Sequence, residues 1–365
     1  FYDVRKKLLR PHEMPATPTH DTKRSEDVRA RISVLSVMPA AWRQAVRRWS
    51  RMNRTRRREA GGLPAPSPDD EYLLYQTLVG TWPLEEPEEA GLEAYRRRIE
   101  EYMVKAAREA KARTTWAAAD MEYEEALTQF IRAALEPREG NLFLADFRAF
   151  NRRIVPFGLL NALSQTLLKL TAPGVPDIYQ GNETWQFSLV DPDNRRGVDY
   201  SRHGRLLQAL AGDPAAPPPA WAPVADVADP RCKLFLHVRT LELRRRDPEL
   251  FERGEYLPLR VTGRRAPHLC AFARRLEERL VIVMAPRLYL KLMGAGSLAG
   301  DDPWRPPLGA EVWEDTTVQL PFGLEAPLHG VLDGAEVSPT SRGPAAIRAA
   351  AALGSFPVAL LHSGL

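Results

Sequence analysis

Cysteine is scarce: the 365 residues hold two, Cys232 and Cys270. Two thiols cannot make a disulfide framework, so a reduced, cytoplasmic setting is expected. Long apolar runs are lacking as well. None approaches the roughly 20 residues of a membrane-spanning helix, and no secretory leader is legible at the start, so no membrane partner is expected. The seven histidines are scattered and form no His/Cys cluster with ligand spacing, so neither a metal nor another cofactor is expected. Glycine-rich phosphate loops and serine nucleophile elbows are absent from the pattern. What is plentiful is charge, 51 Lys and Arg against 47 Asp and Glu, together with 32 prolines. The net charge of +4 and the pI near 9.1 raise the question of nucleic acid. Its only local support is the run Arg47, Arg48, Arg51, Arg54, Arg56, Arg57 and Arg58, which sits among Trp42, Val46 and Trp49 at helical spacing. No stacking platform accompanies it, so a solvated helix face and no nucleic-acid partner are expected.

The most informative stretch is Thr19–Arg31, in which seven residues are charged. A His20–Asp21 pair followed by Lys23, Arg24, Glu26 and Asp27 suits a site that grips hydroxyl groups. A carboxylate accepts from two neighbouring hydroxyls at once, and basic groups supply the donors. The plainer reading is a helix start with Asp21 as N-cap and Glu26 in support. A second segment, Thr171–Glu183, reads as a turn, a short buried strand and a glycine-ended loop, and is followed by Trp185–Arg196 with its own charged cluster.

The two segments together resemble the α-amylase superfamily of retaining glycosidases and transglycosidases. There, a His-Asp pair follows the seventh strand of a (β/α)8 barrel, and a Pro-Gly-x-Pro-x-x-Tyr-x-Gly-x-Glu pattern, matched by Pro173–Glu183, is the eighth strand and its loop. Three longer stretches are similar to the maltooligosyltrehalose synthase family: His20–Arg31, Tyr102–Lys111 with Thr115-Trp116, and Ser188–Arg196. The likeness runs in patches from about residue 12 to about 275, and more faintly beyond. A proline usual in the family is replaced by Gly197.

The resemblance implies a fold of class α/β plus all-β: the last strands and helices of a (β/α)8 barrel with a helical insertion, then a C-terminal antiparallel β-sandwich. The expected divisions are 1–37 (strand seven and its loop), 38–140 (helical insertion), 141–252 (the barrel remainder with strand eight) and 253–365 (the sandwich). Periodicity points the same way. Helices are expected over 40–58, 70–80, 88–113, 141–170, 199–211 and 231–246, with another around Tyr123–Ile131. Short β runs begin beyond Gly254 and include one at Val312–Glu314.

For function, the resemblance implies an isomerase: an intramolecular transglucosylation that turns the reducing-end α-1,4 link of a maltooligosaccharide into an α,α-1,1 link by a retaining mechanism. Such chemistry uses two carboxyl groups about 5 Å apart. In the superfamily these follow strands four and five, so the chain is expected to be the C-terminal part of a longer enzyme, inactive until joined by the N-terminal barrel half. A maltooligosyltrehalose trehalohydrolase is the implied pathway partner. Asp21 matches the third superfamily carboxylate, with His20 beside it in catalysis. Lys23, Arg24, Tyr179, Glu183, Asp191, Asp193, Arg195, Arg196 and Lys105 are the expected substrate-binding residues, Lys105 as part of a lid with Arg108 and Lys111. Two alternatives stay open: another α-amylase-type glycosidase or transglycosidase fragment, and a non-catalytic carbohydrate-binding remnant.

Overall fold

The computed structural model describes residues 13–211, 226–294, 306–324, 326–340 and 345–364. The chain forms two compact units, one made of His20–Gly158 and Phe187–Arg196, the other holding the rest of the described residues.

The first unit is helical. Its elements are α1 (Glu26–Leu35), α2 (Pro39–Met52), α3 (Pro68–Thr81), α4 (Glu89–Ala110), α5 (Met121–Ala134) and the first part of α6 (Leu142–Thr171). Local chemistry marks the starts. Ser67 caps α3 by accepting from the Asp70 amide at 3.1 Å, with Pro68 in the first turn, where its missing N–H costs nothing. Asp120 caps α5 through the Tyr123 amide at 3.0 Å. The expected helix 40–58 ends early, at Met52. The chain then makes a hairpin of β1 (Arg58–Ala60) and β2 (Leu63–Ala65), turned by Gly61-Gly62 at φ +58° and +74°. Two adjacent positive φ values are the signature of a tight hairpin turn, which the helical pattern upstream had masked.

The core of this unit is aromatic. Trp49 is fully buried, with the rings of Tyr75, Phe143, Phe147 and Phe150 edge-on to it at 5.2–5.9 Å between centroids. Its indole N–H donates to Asp146 Oδ2 at 2.6 Å, so the one polar atom of the ring is satisfied inside the core. α1 and α6 approach closely at Gly158. A Cβ there would stand 2.5 Å from Arg31 Cγ and 2.8 Å from Arg31 Cα. Gly→Ala inside a helix ordinarily gains about 1 kcal/mol of propensity. Here the overlap with backbone outweighs that gain, and Gly158→Ala should destabilise the unit by about 2 kcal/mol in urea unfolding. A stabilised variant would show that the close approach is not obligatory.

The second unit carries the β elements. Beyond Gly254 come β3 (Glu255–Pro258), β4 (Arg260–Thr262), β5 (Leu269–Leu276), β6 (Arg279–Pro286), β7 (Thr317–Gln319), β8 (Leu328–Gly330), β9 (Glu336–Val337), β10 (Ala346–Arg348) and β11 (Ala359–His362). They make a six-stranded sheet in the order β3-β5-β6-β11-β8-β9 and a three-stranded sheet in the order β10-β7-β4, every pairing antiparallel. β6 is buried along nearly its whole length, as a central strand of unbroken apolar residues should be. One expected strand is not a strand: Val312 and Trp313 end a short helix, Gly309–Trp313. The indole of Trp313 is fully buried and donates to the Pro307 carbonyl at 3.2 Å, a contact that curls the chain back on itself.

Among the described residues there is no closed barrel. Neither expected barrel strand, the one over 13–20 or the one within 173–183, is a regular strand. The two segments nevertheless pair: the Val175 amide donates to Glu13 O at 2.9 Å and the Asp177 amide to Pro15 O at 3.0 Å. Both residue numbers rise together, so the direction is parallel. Gly174 makes this possible, since at φ +114° a Cβ would lie 2.5 Å from Glu13 O. The expected burial of this segment is corrected: Val175 is exposed and residues 176–179 are half-buried, only the Val175 and Asp177 amides of this stretch being bonded to 13–15. Among the described residues no helix is long and apolar enough to cross a membrane.

Candidate active site

The helix after the His20–Asp21 pair starts at Glu26, with Ser25 in the cap position. Asp21 stands four residues earlier, so the N-cap reading of its carboxylate falls away. The carboxylate is 84% exposed and lies 3.3 Å from His20 Nε2. What fixes the loop is the segment 187–196. The Ser25 amide donates to Ser188 O at 2.9 Å, Arg24 and Leu189 form an antiparallel bridge, and Asn194 Nδ2 donates to the His20 carbonyl at 2.7 Å. Two motifs more than 160 residues apart are thereby joined along their backbones.

The segment 187–196 is itself clamped. Asp193, 9% exposed in its side chain, accepts from the Leu189 amide at 2.6 Å and pairs with Arg98 Nε and Arg196 Nε, each at 3.0 Å. Arg98 also donates to the Phe187 carbonyl. Asp191 pairs with Arg195 Nε at 2.8 Å, and its carbonyl accepts from Lys105 Nζ at 2.5 Å. Lys23 Nζ pairs with Glu109 Oε2 at 2.7 Å, and Glu109 also stands 4.0 Å from Lys105. One face of α4 therefore meets both motifs. Arg24 reaches Thr77 Oγ1 only at 3.5 Å.

Beneath the loop, Arg31 is fully buried, with its guanidinium 3.7 Å from the centre of the Phe187 ring and one nitrogen donating to the Trp82 carbonyl at 2.5 Å. Burial pushes its pKa down to about 9, against the opposing pull of Asp27. Glu26 and Asp27 are fully buried in the first turn of α1, whereas Arg29 is exposed.

The structure thus gathers His20, Asp21, Lys23, Arg24, Asp191, Asp193, Arg195, Arg196 and Lys105 in one unit. Tyr179 and Glu183 belong to the other. There, Glu183 is half-buried and its Oε2 has no hydrogen-bond partner among the described residues. Trp185 donates to Asp229 O at 3.2 Å, a packing role in that unit. Of the three basic residues expected as a lid, Lys105 meets the 187–196 loop, whereas Arg108 makes a bidentate pair with Glu124 at 2.8 and 2.6 Å. Lys111 ends the helix in the left-handed region at φ 56°.

Sequence reading missed Arg98, Glu109 and Asn194. A signal existed for the first two: Arg98, Lys105 and Glu109 stand at steps of seven and four, the spacing of a single helical face. Asn194 offered none, because a side-chain amide donating to a distant carbonyl leaves no local pattern.

No protein-family model matches the chain. A Mycobacterium tuberculosis H37Rv protein provisionally named maltooligosyl trehalose synthase is 33% identical over 315 residues, which make up 86% of this chain. The chain spans 34% of the length of that curated relative. The structure of maltooligosyltrehalose synthase from Arthrobacter ramosus aligns at 36% identity with a TM-score of 0.71, covering 97% of this chain and 39% of that one. A Sulfolobus tokodaii structure described as a hypothetical maltooligosyl trehalose synthase aligns at 26% identity with a TM-score of 0.68, covering 99% of this chain and 40% of that one.

Proposed function

We propose that this chain, which belongs to the maltooligosyltrehalose synthase family, supplies the sugar-gripping rim of a site that rearranges the reducing end of a maltooligosaccharide. The observation that carries this reading is the backbone junction of 20–25 with 187–196, which holds an exposed carboxylate and imidazole on a loop braced by buried ion pairs. Asp21 takes two adjacent hydroxyls of the reacting glucose, and His20 takes a neighbouring one. These bonds tighten as the ring flattens toward its oxocarbenium-like transition state, so they act on turnover more than on binding. Lys23 and Arg195, held by Glu109 and Asp191 yet exposed, are aimed at the adjoining sugar. Asp193 and Lys105 serve by shaping the loop, because they are largely enclosed by protein partners, whereas Arg196, like Arg195, combines an ion pair with an exposed side chain. For Tyr179 and Glu183, in the other unit, a sugar-binding role rests on the family resemblance alone.

The nucleophile and general acid are proposed to come from a preceding segment, as the family resemblance implies. The released glucose must turn and reattach through its anomeric hydroxyl before water reaches the intermediate, which calls for a closed acceptor pocket. A trehalohydrolase would act on the product. To test this, the chain is combined with a segment bearing the two missing carboxyl groups and given maltopentaose. The expected result is loss of reducing ends without release of free glucose. Free glucose as the main product would favour the hydrolase reading, and no turnover with intact sugar binding would favour a carbohydrate-binding remnant.

A further inference from the structure

We propose that the cavity between α2 and α3 binds a small organic phosphate, its phosphoryl oxygens on Arg47 and Arg51 and its ring against Tyr72. The arginine run of this region, expected to be one solvated face, divides in the fold. Arg48 forms a bidentate pair with Asp146 at 3.0 and 2.7 Å, Arg56 donates to Asn141 Oδ1 at 2.9 Å, and Arg57 pairs with Glu71 and donates to Ser50 Oγ at 2.6 Å. Arg47, Arg51, Arg54 and Arg58 are left exposed, with no side-chain hydrogen-bond or ion-pair partner among the described residues, and of these four Arg47 and Arg51 line the cavity. These two stand one helical turn apart, a spacing at which like charges repel unless an anion joins them.

Both line a cavity of about 750 Å³ together with Arg57, Glu71, Tyr72 and Tyr75. That volume falls in the usual range for small-molecule sites, about 300–1,000 Å³. Its floor is built: Glu71, 4% exposed, is held by Arg57 and by the Tyr75 hydroxyl at 2.6 Å, and Asn53 Nδ2 donates to that same hydroxyl at 2.8 Å. The Tyr72 ring, 41% exposed, is fixed from behind by Trp42, whose indole N–H donates to its hydroxyl at 3.0 Å. The floor carboxylate neutralises Arg57, leaving the two rim guanidiniums as excess positive charge. A phosphate monoester, carrying about −1.5 to −2 at neutral pH, balances them, whereas a single carboxylate would leave one unmatched. Guanidinium forks match phosphate oxygens in pairs, and the neighbouring tyrosine face suits the flat side of a sugar or another ring. All these groups lie in one unit, and the inference does not rest on the proposed catalytic reading.

The test is isothermal titration of the full chain with glucose 6-phosphate, inorganic phosphate and glucose at about 0.1 M salt, where long-range charge effects are screened. Glucose 6-phosphate should bind one-to-one, about tenfold tighter than inorganic phosphate, a step of one ring contact. Arg47→Gln combined with Arg51→Gln should weaken both phosphates about a hundredfold while leaving the unfolding midpoint unchanged, since both side chains are exposed. Tyr72→Ala should bring glucose 6-phosphate down to the affinity of inorganic phosphate and leave the latter as it was, which also shows that the pocket persists. Four results would overturn the proposal: no saturable phosphate binding up to about 10 mM, binding indifferent to the double arginine change, a lowered unfolding midpoint in that variant, or tighter binding of an RNA oligonucleotide that displaces the phosphate.

Discussion

Asp21→Asn, in the chain combined with its catalytic complement, should lower turnover of maltopentaose about a thousandfold and change sugar binding only a few-fold, the scale for losing a charged contact made chiefly in the transition state. The amide keeps the size and one acceptor of the carboxylate, so the ground-state sugar loses little. What it lacks is the negative charge that strengthens the bonds to two hydroxyls as the ring takes on positive character. The substitution also isolates chemistry from folding. The carboxylate is 84% exposed and pairs, among the described residues, with His20 alone, so stability should stay within about 0.5 kcal/mol of the parent, as for ordinary surface changes. Turnover left unaltered by this substitution would remove Asp21 from the site. A parallel loss of turnover and of folding would assign it a structural role instead.

The second large effect is expected at Asp193, and it is one of stability. Its carboxylate is 9% exposed and holds the Leu189 amide, Arg98 and Arg196, while Arg98 is itself only 16% exposed. Asp193→Ala leaves a largely buried guanidinium without its counter-charge and an amide without an acceptor. Breaking such a pair from one side costs about 3 kcal/mol or more. The loss should appear locally, as hydrogen exchange at the Leu189 amide about a hundredfold faster or more, because 1.4 kcal/mol corresponds to tenfold. Asp193→Asn keeps an acceptor for that amide and should fall between the two. Exchange as slow as in the parent chain would mean that the 187–196 loop is held by its backbone junction with 20–25, and not by the ion pairs. Turnover should fall with this variant too, since the loop it loosens is the one that fastens His20 through Asn194.

Much of this molecule is legible without coordinates. Helices such as 231–246, observed at Pro230–Arg246, follow from a 3.6-residue apolar rhythm opened by Asp229 and Pro230. The change to short β runs past Gly254 follows from turn residues and alternating patterns, and the strands begin at Glu255. The charged motifs at 20–31 and 188–196 are legible as candidate sites through their resemblance to family motifs. The failures are equally local. The Gly61-Gly62 hairpin hid behind a helical run, and Val312-Trp313 curled because a buried indole found a carbonyl six residues back.

Residue types and spacing determined most of the helical and β segments, and a family resemblance singled out the charged segments proposed here as a sugar site. Partnership belonged to the tertiary structure alone. It decided that Asp193 is consumed by Arg98 and Arg196 while Asp21 stays open, that Arg48 and Arg57 are tied while Arg47 and Arg51 are not, and that Asn194 reaches the carbonyl of His20. The physical reason is that periodicity is a property of the backbone and is written into every turn of the chain. Whether a charge is free or spent depends on what lies within 3 or 4 Å of it, and in this protein several of those neighbours come from residues tens to more than a hundred positions away.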